Sequence, residues 1–375
     1  MFDRDIGLIR SEVTLSGPKD SFIENINTNY NLIKKRIKSN KLKVDSMNIG
    51  RYTDTLVNIL YIDGIVKKDL VNHVKKRLNK IDIDGIIDSS YLRNSLEEKH
   101  NLFPTLVMTE RPDRCSMALL EGKIVILVDN SPYAIILPSF FIDFFHTTDD
   151  YFQKSFNTSF IRIIRLIAFI ISIFIPGLYI CITARNYNLV PLDLLLVLKS
   201  GRTFVPFPAY IEALFMIICF EILKESDLRR SNISGSAISI LGGLILGDAA
   251  VAAGIVSPIM IIVIAITGIG SFATSDYSLS WSFRILKLIF ILLASVLGFY
   301  GIAIGIFIYT LNLGAQKSFG VPFLSPIFEI KSKSDANAVF VNPIWKREVR
   351  PGFLYAKNKK LKPEISRNWK NKNKN

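Results

Sequence analysis

Two patterns of apolar residues divide this chain. Up to about residue 138, apolar positions recur in short groups, at every second residue or every three to four, separated by charges and turn residues. From Arg162 to Leu313, uncharged runs follow one another with few interruptions. The first pattern predicts strands and helices packed around an apolar core in water, and the second predicts a membrane domain. The expected fold class is an α/β soluble domain followed by an all-α polytopic membrane domain.

In the first region, Ile6 to Leu15 alternates and ends at Gly17-Pro18, predicting a strand and a turn. Ser21-Phe22-Ile23-Glu24 fits a capping box, in which the Ser oxygen accepts from a first-turn amide and the Glu reaches back. Phe22, Ile26, Tyr30, Ile33 and Ile37 then share one helical face, and Lys34, Lys35, Arg36 and Lys38 load the end where the helix dipole favours cations. Leu42 to Ile49 and Thr55 to Ile62 predict two strands joined near Gly50, the second apolar throughout and therefore central in a sheet. Leu70, Val71, Val74 and Leu78 form the stripe of a basic helix. Further on, Leu102 to Thr109 predicts a strand and Glu110 to Glu121 a helix with Pro112 in its first turn. Lys123 to Val128 and Tyr133 to Leu137 are strands flanking the turn Asp129-Asn130-Ser131-Pro132. The α/β domain is expected over residues 1–138, with an aromatic bridge over 139–161.

The membrane domain is expected over residues 162–313. Leu166 to Ala184 makes a helix of roughly 28 Å, close to a hydrocarbon core of roughly 30 Å. Pro206 to Leu223, Ser236 to Val256, Pro258 to Ser275 and Ile285 to Leu313 follow as apolar stretches, giving about four to five spans. Val190 to Leu198 is too short to cross and reads as an interfacial or re-entrant helix. Arg162 and Arg165 put the soluble domain on the cytoplasmic side. Residues 314–375 form a basic tail: from Lys331 onward 13 Lys and Arg face three acidic residues, a net of +10 out of +14 for the chain. That charge lies beside a membrane span, which favours the cytoplasmic side and contact with anionic lipid over nucleic acid. Five crossings would put this tail on the far side, so one stretch, Pro258 to Ser275, is expected not to cross.

Polar groups inside the apolar region are candidate sites, because a carboxylate at the bilayer centre costs about 2.5 to 3.5 kcal/mol on insertion scales. They are Glu212, Glu221 and Asp248, with Glu221 close enough to its helix end to reach towards Lys224. Between Ser236 and Val256, Ser239, Gly243 and Gly247 belong to a small-residue stripe suited to helix packing, and Gly301 and Gly305 repeat the spacing later. Leu241, Leu244, Asp248 and Ala252 fall on a different face and are the candidates to line a pore, the leucines as an apolar constriction and Asp248 as an acidic ring. The alternative for Asp248 is a single interhelical hydrogen bond that supports assembly.

Enzymatic chemistry finds no motif: there is no P-loop, no HExxH and no Gly-x-Ser-x-Gly elbow, so neither catalytic residue nor cofactor is expected. Cys115, Cys181 and Cys219 lack paired spacing, His73, His100 and His146 are isolated, and no metal site is expected. The aspartates of Ile81 to Asp88 miss the calcium-loop pattern at Ile86 and read as a turn and helix start.

Ser16-Gly17-Pro18-Lys19-Asp20-Ser21-Phe22, Tyr61-Ile62-Asp63-Gly64-Ile65, Thr109-Glu110-Arg111-Pro112-Asp113-Arg114 and Val128-Asp129-Asn130-Ser131-Pro132 form an ordered series. It continues through Val205-Pro206-Phe207-Pro208 and Gly254-Ile255-Val256-Ser257-Pro258 to Phe319-Gly320-Val321-Pro322-Phe323. The series resembles the A-subunit family of spore germinant receptors, the GerA family. The resemblance implies a membrane subunit of a nutrient-sensing complex in the spore inner membrane. It also implies a transporter-like, nutrient-binding B subunit and a lipoprotein C subunit as partners, and a homo-oligomer that gates ions. A transporter-like or non-conducting scaffold subunit that relays the nutrient signal is the alternative. Family members usually carry another soluble domain before the Ser-Gly-Pro motif, which only about 15 residues precede here. Where this chain has Asp248 and Ala252, the family commonly has Gln and Glu, so the polar group has shifted one helical turn along one face.

Overall fold

The computed structural model describes residues 12, 14–97, 101–228, 243, 245–273, 276–327, 340–343, 347, 349–354 and 356–361, without the side chains of 227, 228 and 277. The chain forms two compact units, Met1–Ile163 with Leu313–Asn375, and Ile164–Asn312.

The first unit is built on a five-stranded sheet, in the order β1 (Leu42–Ile49), β2 (Thr55–Ile62), β4 (Ile124–Val128), β5 (Ala134–Leu137), β3 (Val107–Thr109). Every neighbouring pair is antiparallel. β2 and β4 lie inside the sheet, as their apolar runs require, with β2 interrupted by Asn58, whose Oδ1 accepts from the Ser46 hydroxyl at 2.7 Å, and all five residues of β4 are buried. One face packs on α2 (Lys68–Leu78) and α3 (Ser89–Leu96), through Leu70, Val71, Val74, Leu78, Leu92 and Leu96 against Val57, Ile59, Ile126 and Ile135. The other is covered by α1 (Ile26–Arg36) and α4 (Pro112–Glu121), and a single turn, α5 (Asp149–Phe152), follows the sheet in the chain. With both faces covered, even an antiparallel sheet loses the polar-out half of its alternation.

Local signals account for most boundaries. Pro112 occupies the first position of α4, where its missing N–H costs nothing. Asp88 caps α3 by accepting from the Ser90 amide at 2.9 Å, so the aspartate-rich stretch does start a helix. The capping box at Ser21 is not used. Asn25 caps α1 instead, its Oδ1 accepting from the Asn27 and Thr28 amides at 2.8 and 3.1 Å. Ser21 is buried and its hydroxyl donates to the Phe22 carbonyl, while Phe22 and Ile23 are sunk in the core before the helix begins. The strand expected from Leu102 shrinks to Val107–Thr109, and the one expected from Ile6 lies largely outside the described residues.

The second unit is helical. It contains most of α6 (Ser155–Ile180, continued by a wider turn at Cys181–Arg185), α7 (Leu192–Ser200), α8 (Ala209–Leu228), α9 (245–252), α10 (Pro258–Phe272), α11 (Tyr277–Leu297) and α12 (Phe299–Ala315). The stretch expected as one span from Ile285 to Leu313 is two helices. Gly298, at φ 61°, breaks it, and a side chain there would overlap the Asn186 Oδ1 that accepts from the Phe299 amide. α11 and α12 then fold back on each other, so closely that a Cβ on Gly301 would overlap the Leu293 carbonyl oxygen.

Paired contacts give the helix directions. Phe169 meets Phe283 and Phe174 meets Phe290, so α6 and α11 are parallel. Glu212 meets Ser257 and Phe220 meets Phe272, so α8 and α10 are parallel, while Gly270 against Ala168 and Tyr179 against Ser257 make α10 antiparallel to α6. Gly243 lies by Leu223 and Gly254 by the Phe204 carbonyl, which sets α9 antiparallel to α8. Thus α6, α9 and α11 run one way and α8, α10 and α12 the other. The first and last of them begin and end at the same end of the unit. Among the described residues, two helices are long and apolar enough to cross a membrane, Ser155–Arg185 and Ser278–Leu297. Pro258–Phe272 and Phe299–Ala315 are shorter apolar helices.

Candidate functional site: polar positions of the helical unit

Glu212 is buried in the first turn of α8. Its Oε1 accepts from the Arg202 guanidinium at 2.7 Å and its Oε2 from the Ser257 amide at 3.1 Å, and Arg202 also donates to the Phe207 carbonyl. The carboxylate therefore sits where α8 and α10 both begin, at the positive end of two helix dipoles and beside one cation. Every oxygen has a partner, which is how an acid is kept inside an apolar unit. The Val205-Pro206-Phe207-Pro208 and Gly254-Ile255-Val256-Ser257-Pro258 motifs are the two segments this carboxylate joins.

Glu221 does not pair with Lys224. α11 brings nearer cations: Lys287 donates to its Oε1 at 3.0 Å, and Arg284 Nε lies 3.0 Å from its Oε2 without hydrogen-bond alignment. Lys224 instead donates to the Ser271 hydroxyl at 3.3 Å and lies over the Phe272 ring.

Asp248 and Ala252 are exposed in the single copy, whereas Gly247 and Ala250 on the same helix are buried. A Cβ on Gly247 would meet Ile261 at 3.7 Å, and Gly243 is exposed. Gly305 faces Phe290, where a Cβ would come within 2.7 Å of the ring. The structure thus turns Gly247 towards α10 and leaves Asp248, beside Ala252, exposed. The side chains of Ser239, Leu241 and Leu244 lie outside the described residues.

In the first unit, no periodicity marks Arg111, yet it is fully buried and organises the domain. Its guanidinium grips Asp113 through two bonds of 3.0 and 2.7 Å and donates to the Glu12 carbonyl, the Thr14 hydroxyl and the Pro18 carbonyl. The available signal was two opposite charges flanking Pro112 in a motif that otherwise enters the core. Nearby, a cavity of about 120 Å³ is lined by Glu121, Lys123, Asp143, Tyr151, Arg162 and Arg347 among others. Lys123 pairs with Asp143 at 2.6 Å and Arg162 with Asp150 at 2.7 Å. Burial pushes the Glu121 carboxyl up, and the charge of Glu121 followed by burial raises the Tyr151 phenol. Among the described residues no His, Cys, Asp and Glu group could hold a metal ion.

The chain matches the Bacillus/Clostridium GerA spore germination protein family over residues 2–353. It belongs to this family. Spore germination protein KA of Bacillus subtilis is 40% identical over 370 residues, 96% of this chain and 68% of that protein. GerQA of Bacillus cereus is 35% identical, over 96% of this chain and 73% of its own length. A membrane protein of Bacillus subtilis, YfkQ, is 37% identical over 91% of this chain and 67% of its own length. The crystal structure of the N-terminal domain of the A subunit of the Bacillus megaterium germinant receptor GerK3 is 39% identical. It covers 32% of this chain and 97% of that chain, with a TM-score of 0.27. Within this GerA chain, Arg111 ties the Ser16 to Phe22 motif to the Thr109 to Arg114 motif. Phe319 of the last motif packs under Arg77 at 4.8 Å, while the Phe323 carbonyl accepts from the Phe141 amide at 3.0 Å.

Proposed function

We propose that this GerA protein is the membrane A subunit of a spore germinant receptor in the spore inner membrane, working beside a transporter-like B subunit and a lipoprotein C subunit. In this reading, several copies assemble into an ion channel that opens when the receptor binds nutrient. The family and the relatives' names support the germination role. The observation that carries the channel reading is α9: Gly247 packs on α10 and Ala250 is buried, while Asp248 stays exposed on a helix of an apolar unit. Lipid penalises such a carboxylate, so water or another copy must receive it.

The helix directions support a six-crossing topology in place of four. Three helices run each way, so the tail returns to the side of the soluble domain without excluding Pro258 to Phe272. Six crossings reconcile Arg162 and Arg165 with the net charge of +10 after Lys331. In a ring of copies, one carboxylate per copy favours cations. The reversal potential of reconstituted receptors in a salt gradient tests this. Asp248→Asn is expected to assemble normally and to shift the reversal potential towards non-selectivity. An unchanged potential would remove Asp248 from the ion path.

A further inference from the structure

We propose that the cavity of the first unit walled by the C-terminal segment is a binding site for a small zwitterion, a molecule carrying an ammonium and a carboxylate on a short aliphatic frame. The inference goes beyond the proposed function and requires neither a membrane nor conduction. All the residues that line the cavity belong to the first unit. Glu121 ends α4, Tyr151 belongs to α5, and Arg347 comes from the C-terminal segment. That segment is fastened to the α/β fold on both sides of the cavity wall. Arg350 Nε donates to the Leu120 carbonyl at 2.8 Å, the Lys357 amide donates to the Ile65 carbonyl at 2.9 Å, and Phe353 meets the Phe140 ring edge-on at 4.6 Å.

Several charges around this space are already paired, Lys123 with Asp143 and Arg162 with Asp150. Three groups are not. Among the described residues, the Glu121 carboxylate and the Tyr151 hydroxyl have no hydrogen-bond or ion-pair partner, and the Arg347 guanidinium uses only its Nε, which donates to the Asn342 carbonyl at 2.8 Å. They are nonetheless neighbours: the charge of Glu121 is the main cause that raises the Tyr151 phenol, and both groups act on Arg347. A carboxylate and a guanidinium that share a cavity without touching leave an acceptor and donors unmet, each at a desolvation cost. A molecule with an ammonium for Glu121 and a carboxylate for the planar fork of Arg347 satisfies both at once, and the Tyr151 hydroxyl can donate to the same ligand carboxylate. A purely anionic ligand would be repelled by Glu121, and a purely cationic one by Arg347. The volume of about 120 Å³ holds several waters or one small molecule and lies below the roughly 300 Å³ of a drug-sized pocket, which excludes nucleotides and peptides. Ile142, Val341 and Phe353 supply apolar wall for the aliphatic frame.

Isothermal titration calorimetry of the full-length chain in detergent with γ-aminobutyrate, butyrate and butylammonium tests this, since the three probes share a frame and differ in their charged ends. The zwitterion is expected to bind roughly tenfold more tightly than either singly charged probe. Glu121→Gln should abolish its advantage over butyrate, and Arg347→Gln its advantage over butylammonium, while Arg347→Lys keeps most of the latter. Glu121→Gln removes a carboxyl that burial disfavours, so its effect on binding is not one of unfolding. Equal affinities for the three probes, no binding of γ-aminobutyrate at concentrations on the order of 10 mM, or an advantage that survives both substitutions would overturn the proposal. The readout uses this chain alone, without partner subunits, nutrient or current, so its failure leaves the proposed function standing.

Discussion

Replacing Arg111 by Met is expected to release residues 12–18 from the first unit while leaving the sheet folded. The guanidinium is completely buried and makes five hydrogen bonds, three of them to residues 12, 14 and 18. Met retains the packing volume but removes all five donors and leaves Asp113 buried without its cation. Breaking a buried pair in this way costs about 3 to 5 kcal/mol. The Arg114 amide still donates to Asp113 at 2.9 Å, so the lower end applies. A loss of about 3 kcal/mol corresponds to roughly a hundredfold faster opening of the segment. Hydrogen exchange followed by mass spectrometry on the full-length protein in nanodiscs reads this opening in peptides covering 12–18, with β4 as the internal reference. Arg111→Met combined with Asp113→Leu should recover part of the protection, because the stranded carboxylate is gone. A change below about threefold in Arg111→Met would refute the reasoning, as would a double variant worse than the sum of its parts.

Three further outcomes follow from the geometry. Cysteines placed at Ser46 and Ser366 should react with an impermeant thiol reagent from the same side of the membrane; labelling from opposite sides would contradict six crossings. Glu121→Gln should stabilise the first unit at neutral pH, because burial raises the native carboxyl above its ordinary value. Stability linked to such a group is lost as pH rises through the native value, so the gain in thermal midpoint should vanish on acidification below about 4.5, and a gain that persists there would be wrong in sign. Gly301→Ala must push α12 away from the Leu293 carbonyl and should cost about 1 to 3 kcal/mol, seen as a lower melting point of the detergent-solubilised protein; an unchanged melting point would mean that the α11 and α12 contact is looser than described.

The sheet and its helices were legible because each carries a period or a punctuation mark. Thr55–Ile62 and Lys68–Leu78 follow the largely apolar run and the three-to-four spacing of their apolar residues. Ser21 misled because a capping sequence is only local, and the demand to bury Phe22 and Ile23 outweighed it. Gly298 was hidden by composition, since an uninterrupted apolar run does not reveal a chain reversal unless the glycine's neighbours are known. The partners of Glu212 and Glu221 were equally hidden. Arg202 and Ser257, like Arg284 and Lys287, lie on other elements, and hydropathy along one helix carries no information about which cation faces it across the packing. Asp248 was readable as an anomaly because a lone carboxylate among Gly, Ala and Leu stands out in any arrangement.

The most direct measurement is single-channel recording from purified receptors, this chain with its B and C subunits, reconstituted in planar bilayers. The account predicts discrete, cation-selective current steps that appear on addition of the receptor's nutrient and cease on its removal. Assembled complexes that bind nutrient yet pass no current would contradict it and leave a relay that does not conduct.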